Sequence, residues 1–370
     1  MTPSTRFLPV YEPLLTGKEL EYVSDCIQSG WISSLGKYIA EFENLFAHFC
    51  RTRHAVAVSN GTAALHLALA SLGVGPGDEV IVPTLTFVAT ANAVRYTGAT
   101  PVFVDSELET WNIDPACIAE RITPRTKAII PVHVYGHPAN MQPILDLAKQ
   151  HNLVVIEDAA EAHGAEYQGK RVGSMGRVNA FSFYGNKIIT TGEGGMLTTD
   201  DDALNERLRF LRDHAMSTEK RYWHTEIGFN YRITNLQAAV GVAQMERIEE
   251  FIQRKRWIAQ VYNDGLKSVP GIVLPPEAAW AKSVYWMYSV LFTDEFPLKR
   301  DEVSVQLKKQ GIDSRRFFYP IHVMPPYHQD LDMPNAVFLS QHGINLPSSV
   351  TLTEEDIQRV VSAIKGLAQG

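Results

Sequence analysis

Three short segments of the 370-residue chain hold residue types that could do chemistry together. In FSFYGNKIITTGEGG, Phe181 to Gly195, an apolar strand delivers Lys187 into a run of small residues. A lysine amine whose pKa is lowered attacks carbonyl carbons and then carries protons. In VVIEDAAEAHG, Asp158 stands where a buried strand exits, the edge at which α/β sheets place ligands. A carboxylate there calls for a cation. In SNGTAALHLAL, Ser59 to Leu69, a strand ends, Gly61 permits a tight turn, and a helix opens at Thr62. The unpaired amides and positive end of such a helix suit a phosphate. Each segment also has a plain reading: a helix cap, a salt-bridged aspartate, a solvated loop lysine.

Taken together, the three describe one pocket. The phosphate turn, the acid and the lysine follow in that order, with a strand between Asp158 and Lys187. Ser182, on the strand before the lysine, can offer its hydroxyl to the phosphate. Gly192, Gly194 and Gly195 leave room for a bulky ligand. The cofactor that needs all of these is pyridoxal 5′-phosphate (PLP), whose protonated pyridine nitrogen supplies the cation for Asp158. Phe87 could lie against the ring or pack in the core. Glu161, three residues past Asp158, could reach the cofactor phenol oxygen or the substrate, or stand solvated on a helix.

The elements around these residues alternate. Strand-like runs cover Ala55–Ser59, Glu79–Pro83, Thr100–Val104, Lys127–Val132, Leu153–Ile156, Val178–Tyr184 and Gly194–Thr199. Helical runs cover Thr62–Leu72, Phe87–Tyr96 and Met141–Asn152. Short apolar strands separated by helices imply an α/β fold with a mostly parallel sheet covered on both faces. Asn235–Leu266 reads as one long helix with Thr234 as its N-cap. Beyond it, proline-rich breaks, a strand at Val284–Phe292, a helix at Arg300–Gln310 and a last helix from Glu354 suggest a smaller α+β domain. The expected division is residues 1–30 packing beside the small domain, 31–245 as the large domain and 246–370 as the small one.

Composition narrows the function class. The chain is 45% hydrophobic and 20% charged, with net charge −7 and no Lys/Arg block, which argues against nucleic acid or an anionic membrane as partner. Cys26, Cys50 and Cys117 are sparse and odd in number, so neither a disulfide framework nor a metal site is expected. The first residues lack a signal pattern, and a cytoplasmic protein is the expectation.

The segments SGWISSLGKYIAEFE, SNGTAALHLAL, GDEVIVPTLTFVATANAV, IEDAAEAHGA, FSFYGNK, TGEGGM, GFNYRITNLQAAVG and HVMPPYH, from Ser29 to His328, resemble the DegT/DnrJ/EryC1/StrS family of sugar aminotransferases. The resemblance implies the type I PLP-dependent aminotransferase fold. It implies that Lys187 is the Schiff-base lysine and that Asp158 pairs with the pyridinium nitrogen. Gly61, Thr62 and Ser182 would hold the phosphate, Phe87 would stack on the ring, and Glu161 would sit near the phenol oxygen. Asn230, in FNYR, would reach the phosphate in a neighbouring subunit, making the site a shared one in a homodimer; Arg232 competes for that role. L-Glutamate would be the donor and a nucleotide-linked keto-sugar the acceptor. WISSLGKYIAEFE, RDHAMSTEKRYWH and GIDSRRFFYPIHVMPPY favour GDP-4-keto-6-deoxy-D-mannose, with UDP- and dTDP-linked sugars as alternatives. A dehydratase in the same family carries histidine where this chain has Lys187. The family's usual Arg-Pro is replaced here by Arg315-Arg316, a second positive charge that could meet a diphosphate or face solvent.

Two other function classes are weighed against this one. A dinucleotide-binding oxidoreductase would need a glycine-rich turn between strand and helix, but Gly73-Val74-Gly75-Pro76-Gly77 precedes a strand and lacks the GxGxxG spacing. A non-catalytic regulatory protein of the same fold would have no need of Lys187 together with Asp158.

Overall fold

The computed structural model describes residues 6–369. Residues 1–5, part of the expected 1–30 segment, and Gly370, at the end of the expected small domain, lie outside the described residues. Helices α1 (Glu19–Ser29) and α2 (Lys37–Cys50) lead into a seven-stranded sheet. Its strands β1 (His54–Val58), β2 (Glu79–Pro83), β3 (Thr100–Val104), β4 (Thr126–Ile129) and β5 (Val154–Asp158) are joined by Val178–Ser182 and Gly195–Thr199. Across the sheet the order is β1, Gly195–Thr199, Val178–Ser182, β5, β4, β2, β3. Only Gly195–Thr199 runs against its two neighbours; the other pairings are parallel. These strands are apolar on both faces because helices cover both. EVIVP, for example, is buried at every position. The sheet is thus the mostly parallel one expected.

The shared strand direction brings chain ends that are far apart in sequence to one edge. β1 ends at the turn into α3 (Gly61–Ser71), β5 ends at Asp158, and Val178–Ser182 ends at Ser182. α3 starts where it does because Asn60 is extended and its side chain accepts the Ala63 amide at 2.8 Å. α2 covers the far side: Phe42 and Phe46 pack on Phe183 and Phe181 with ring centroids 4.9 and 4.8 Å apart. A buried carboxylate, Glu43, reaches across to Arg209 and Arg212 and accepts the Ala57 amide, tying α2 to β1.

The long helix expected over Asn235–Leu266 is two helices, Asn235–Met245 and Ile248–Leu266. Thr234 does cap the first, in a reciprocal box with Gln237. The interruption carries no glycine or proline. Arg247 leaves helical geometry, at φ −120° and ψ 4°, where its guanidinium meets Thr16 of the N-terminal segment, and Glu249 and Glu250 then open the next helix. The break therefore depends on a contact distant in sequence.

The C-terminal part forms an antiparallel sheet ordered Ile272–Val273, Tyr288–Phe292, Gly343–Leu346, Arg315–Arg316. Helices Ile248–Leu266 and Glu354–Ala368 back it, meeting so closely at Gly265 that a Cβ would stand 2.8 Å from Val361. Tyr262, Tyr288, Phe292 and Ile364 build an apolar cluster there that Leu8 joins. A three-stranded patch that the sequence does not announce, Ala281–Lys282, Glu166–Tyr167 and Lys170–Arg171, ties the two parts together.

Candidate active site

The edge where β1, β5 and Val178–Ser182 end opens into a cavity of about 880 Å³, closed on its other side by the C-terminal part. Gly61, Thr62, Phe87, Asp158, Glu161, Ser182 and Lys187 all line it. Asn230 and Arg232 do not. Asn230 is exposed and Arg232 half-buried; Arg232 donates to Asn230 Oδ1 at 3.0 Å and pairs with Asp213 at 2.8 Å.

The turn expected to hold a phosphate is built by close approach. Gly61 seats against Ser182, and a Cβ on it would fall 2.7 Å from the serine Cβ. The amides of Gly61 and Thr62, first in α3, have no carbonyl one turn back to bond. Gly194 and Gly195 play a different part from the one expected. Added Cβ atoms would meet Thr191 Oγ1 at 2.2 Å and the Asn60 carbonyl at 2.5 Å, so Gly194 admits a threonine side chain and Gly195 the backbone of Asn60, not ligand. Gly192 alone faces open space, with φ +80°.

Asp158 is buried. It accepts from Thr90 Oγ1 at 2.7 Å and from the Ala160 amide at 3.2 Å, and forms no salt bridge among the described residues. Burial pushes its carboxyl up, against the pull of these two hydrogen bonds. A buried carboxylate on a cavity floor with no ion pair among the described residues fits a cationic ring nitrogen. Backbone bonds fix its place: its amide donates to Pro131 O at 2.9 Å, and the next amide donates to Ala180 O at 2.8 Å.

Lys187 is buried too, and its amide closes a turn on Tyr184 O at 2.9 Å. Its Nζ lies 3.9 Å from Glu161 Oε1 and 3.9 Å from the centroid of the Trp286 ring. Burial lowers its pKa, while Glu161 and Asp158 act to raise it. An amine held below its ordinary value has the free lone pair that carbonyl attack needs. Glu161 is buried rather than solvated. Its carboxyl is pushed up to about 7 by desolvation, opposed by Lys187 and by the Tyr135 amide, which donates to Oε2 at 2.8 Å. Phe87 is 57% exposed, which removes the core-packing reading. Its ring stands 5.9 Å from Phe318 and presents a face to the cavity.

Several residues in or beside the cavity were given no role by the sequence motifs. Tyr135 has a left-handed backbone, φ +53°, a strained state for a tyrosine that is found mostly at functional positions. That turn aims its amide at Glu161, while its hydroxyl accepts the Phe318 amide at 3.1 Å and its ring stacks on Phe318 at 13°. Trp286 covers Lys187, and Thr90 anchors Asp158. Tyr11 reaches over from the N-terminal segment to donate to Lys187 O at 2.5 Å. A usable signal existed for Tyr135 alone: PVHVYG follows β4 just as the Asp158 segment continues β5. Arg315 and Arg316 are exposed on the cavity wall, and Arg316 reaches Asp301 at 3.3 Å.

Among the described residues no cluster of three His, Cys, Asp or Glu side chains is placed to hold a metal ion, and no helix is long and apolar enough to cross a membrane. The residues present do fit PLP. A cradle of two free amides and a hydroxyl, a buried unpaired carboxylate and a buried amine face one cavity, beside an exposed aromatic ring.

Comparison with known proteins agrees. The sequence profile of the DegT/DnrJ/EryC1/StrS aminotransferase family matches residues 13–365. A GDP-perosamine synthase from Caulobacter vibrioides is 50% identical over 362 residues, 96% of this chain and 97% of that protein. Among solved structures, S. venezuelae DesV in complex with a ketimine intermediate superposes with a TM-score of 0.93 at 37% identity, over 99% of this chain and all of that one. The PLP-form of Spr1654 from Streptococcus pneumoniae does so with a TM-score of 0.92 at 28% identity, over 98% and 99% of the two chains. The chain belongs to the DegT/DnrJ/EryC1/StrS aminotransferase family.

Proposed function

We propose that this aminotransferase uses PLP to move the amino group of L-glutamate to C4 of GDP-4-keto-6-deoxy-D-mannose, giving GDP-perosamine and 2-oxoglutarate. The observation that carries the reading is the meeting of Lys187, Asp158 and the Gly61–Thr62–Ser182 cradle in one cavity. Half-identity to a GDP-perosamine synthase over nearly the full length supports the choice of acceptor.

PLP, when bound, supplies an aldehyde that takes up amines and a protonated ring that accepts the electron pair left on an amino-acid α-carbon. Gly61, Thr62 and Ser182 bind its phosphate in this reading, Asp158 keeps the proton on its ring nitrogen, and Phe87 lies along its face. Glu161 stands near the phenol oxygen. Lys187 holds the cofactor through Nζ, and once free takes the α-carbon proton of glutamate and passes it on. Trp286 and Tyr135 keep water from that amine. Glutamate leaves as 2-oxoglutarate before the sugar binds, so the kinetics are ping-pong.

The reading extends to assembly and place. Two copies form a homodimer in the cytoplasm, and Asn230 or Arg232 of each reaches the phosphate of the other. Residues 31–245 act as the cofactor-binding domain, with 246–370 and the first 30 residues as the smaller one. A coupled assay with L-glutamate and GDP-, UDP- and dTDP-linked 4-keto-6-deoxy sugars side by side tests the acceptor. Turnover of the GDP sugar above the others is expected. Preference for a UDP or dTDP sugar overturns the perosamine assignment and leaves amino transfer standing.

A further inference from the structure

The amine of Lys187 rests on an aromatic face. Its Nζ is 3.9 Å from the Trp286 ring centroid, inside the range of a cation–π contact. The residue is held at three points, two on its ring and one on its main chain. Its indole N–H donates to Asn186 O at 2.6 Å, next to the lysine itself; it stacks on Tyr135 at 15°; and its main-chain carbonyl accepts from Lys255 Nζ at 2.8 Å.

Lys255 is unusual in its own right. It is 1% exposed and has no carboxylate partner among the described residues. Its Nζ donates to the carbonyls of Trp286 and Ser348 and lies 5.0 Å from the Tyr11 ring centroid. Tyr11 in turn donates its hydroxyl to Lys187 O. A lysine buried without a counter-ion is costly, and an apolar side chain would fill the space at less cost. What Lys255 adds is three fixed contacts, two of which lead to Lys187: one through Trp286, the other through Tyr11.

We propose that the face of Trp286 is the dock for the Lys187 amine whenever that amine is free of the cofactor, and that Lys255 is the positioning residue that holds the ring in place. The inference rests on the reading of Lys187 as the cofactor-binding lysine. Such an amine is released and recaptured in every cycle, and a freed lysine otherwise samples many rotamers. The groups facing it are Glu161 and Asp158, which favour the ammonium, and the neutral His163, buried among Phe46, Phe181 and Phe183. Lys255 is bonded to the Trp286 carbonyl. Glu161 can remove the amine's proton. A π face attracts the ammonium but cannot take the proton, so it stores the amine without discharging it.

The test replaces Trp286 alone with tryptophans carrying increasing numbers of ring fluorines, by site-specific incorporation into the full chain. Fluorination empties the π face and preserves shape and burial. In cofactor-free protein, the pH dependence of Lys187 carbamylation by cyanate, followed by mass spectrometry, reads the pKa of that amine. A stepwise fall totalling about one pH unit across the series is expected, with a fall of the same sign in Lys255→Met. A flat series overturns the dock. A fluorine-dependent fall with wild-type behaviour in Lys255→Met, in a variant melting within a few degrees of wild type, overturns the positioning role. Should Lys255→Met fail to fold, Lys255→Gln, too short to bond both carbonyls, replaces it: a fall in the Lys187 pKa supports the positioning role, and a value equal to wild type overturns it. Borohydride reduction of the loaded wild type tests the underlying reading separately. Absence of a reduced adduct on Lys187 sinks that reading, whereas an adduct together with a flat series sinks only the dock.

Discussion

The cavity has a floor and a wall, and the two are made differently. The floor, comprising Gly61, Thr62, Asp158, Ser182 and Lys187, comes from strand ends and the turns after them, and its side chains are placed by backbone hydrogen bonds of the sheet. The wall comes from the C-terminal part: Arg315 and Arg316 stand on an edge strand, while the rings of Trp286 and Phe318 are placed by contacts of side chains, a stacked Tyr135, a buried Lys255 and an indole bonded to Asn186 O. A parallel sheet is a rigid positioning device, so it holds groups that must meet a cofactor atom by atom. A wall of rings tolerates more variation and suits the part of a ligand that differs from enzyme to enzyme. Variants of the two should therefore fail in different ways.

Floor variants should lose chemistry outright. Lys187→Ala is expected to abolish the borohydride-reducible adduct and lower kcat by roughly 1000-fold or more, because no other amine lines the floor. An adduct in that variant would contradict the assignment. Asp158→Asn leaves Thr90 and Ala160 a partner but removes the charge. A loss of about 100-fold in kcat is expected, with cofactor still bound, read by turnover and by visible absorbance. If turnover stays within twofold of wild type, the buried carboxylate is not tuning the ring.

Glu161 lies where floor and wall meet, and its effect depends on pH. Its folded pKa of about 7 exceeds the ordinary 4.5, so the folded protein binds the extra proton between those values. Its contribution to stability is then fully present below about 4.5 and lost as pH rises through 7, a span on the order of 3 kcal/mol at most. Urea unfolding of cofactor-free protein at pH 5 and pH 8 should show this loss, and Glu161→Gln should remove that part of it. Equal slopes in the two proteins would mean that Lys187 already holds Glu161 ionised. The smallest effect is expected on the wall. Phe318→Ala should raise KM for the sugar nucleotide about two- to tenfold and change kcat little, since an aromatic contact contributes about 0.5–1.5 kcal/mol. An equal fall in kcat would place Phe318 with the floor.

The same contrast explains what could be read ahead of the structure. Asp158 was legible because a run of VVI ending in acid marks a strand exit in any α/β sheet. The Gly61 turn was legible because Asn-Gly-Thr before an alanine-rich run caps a helix. Trp286 was not, because it falls within the strand expected over Val284–Phe292, whereas the strand begins only at Tyr288, and its partner Lys187 lies about a hundred residues upstream. Gly194 and Gly195 were recognised as mattering but given the wrong neighbour. Only the packed structure shows that Gly195 faces the Asn60 carbonyl. The single helix expected over Asn235–Leu266 failed for a like reason, since Arg247 turns out of helical geometry beside Thr16.

Local patterning was enough to establish the alternating α/β order, the sheet edge that would hold the site, and the three segments that line its floor. These follow from periodicity and turn chemistry, which act over a few residues. Packing at long range set which aromatic face meets Lys187, that Glu161 is buried with a carboxyl near 7, and that Tyr135 takes a strained turn to reach it. Desolvation and side-chain contact depend on what the rest of the chain brings within a few ångströms, and no stretch of sequence carries that on its own.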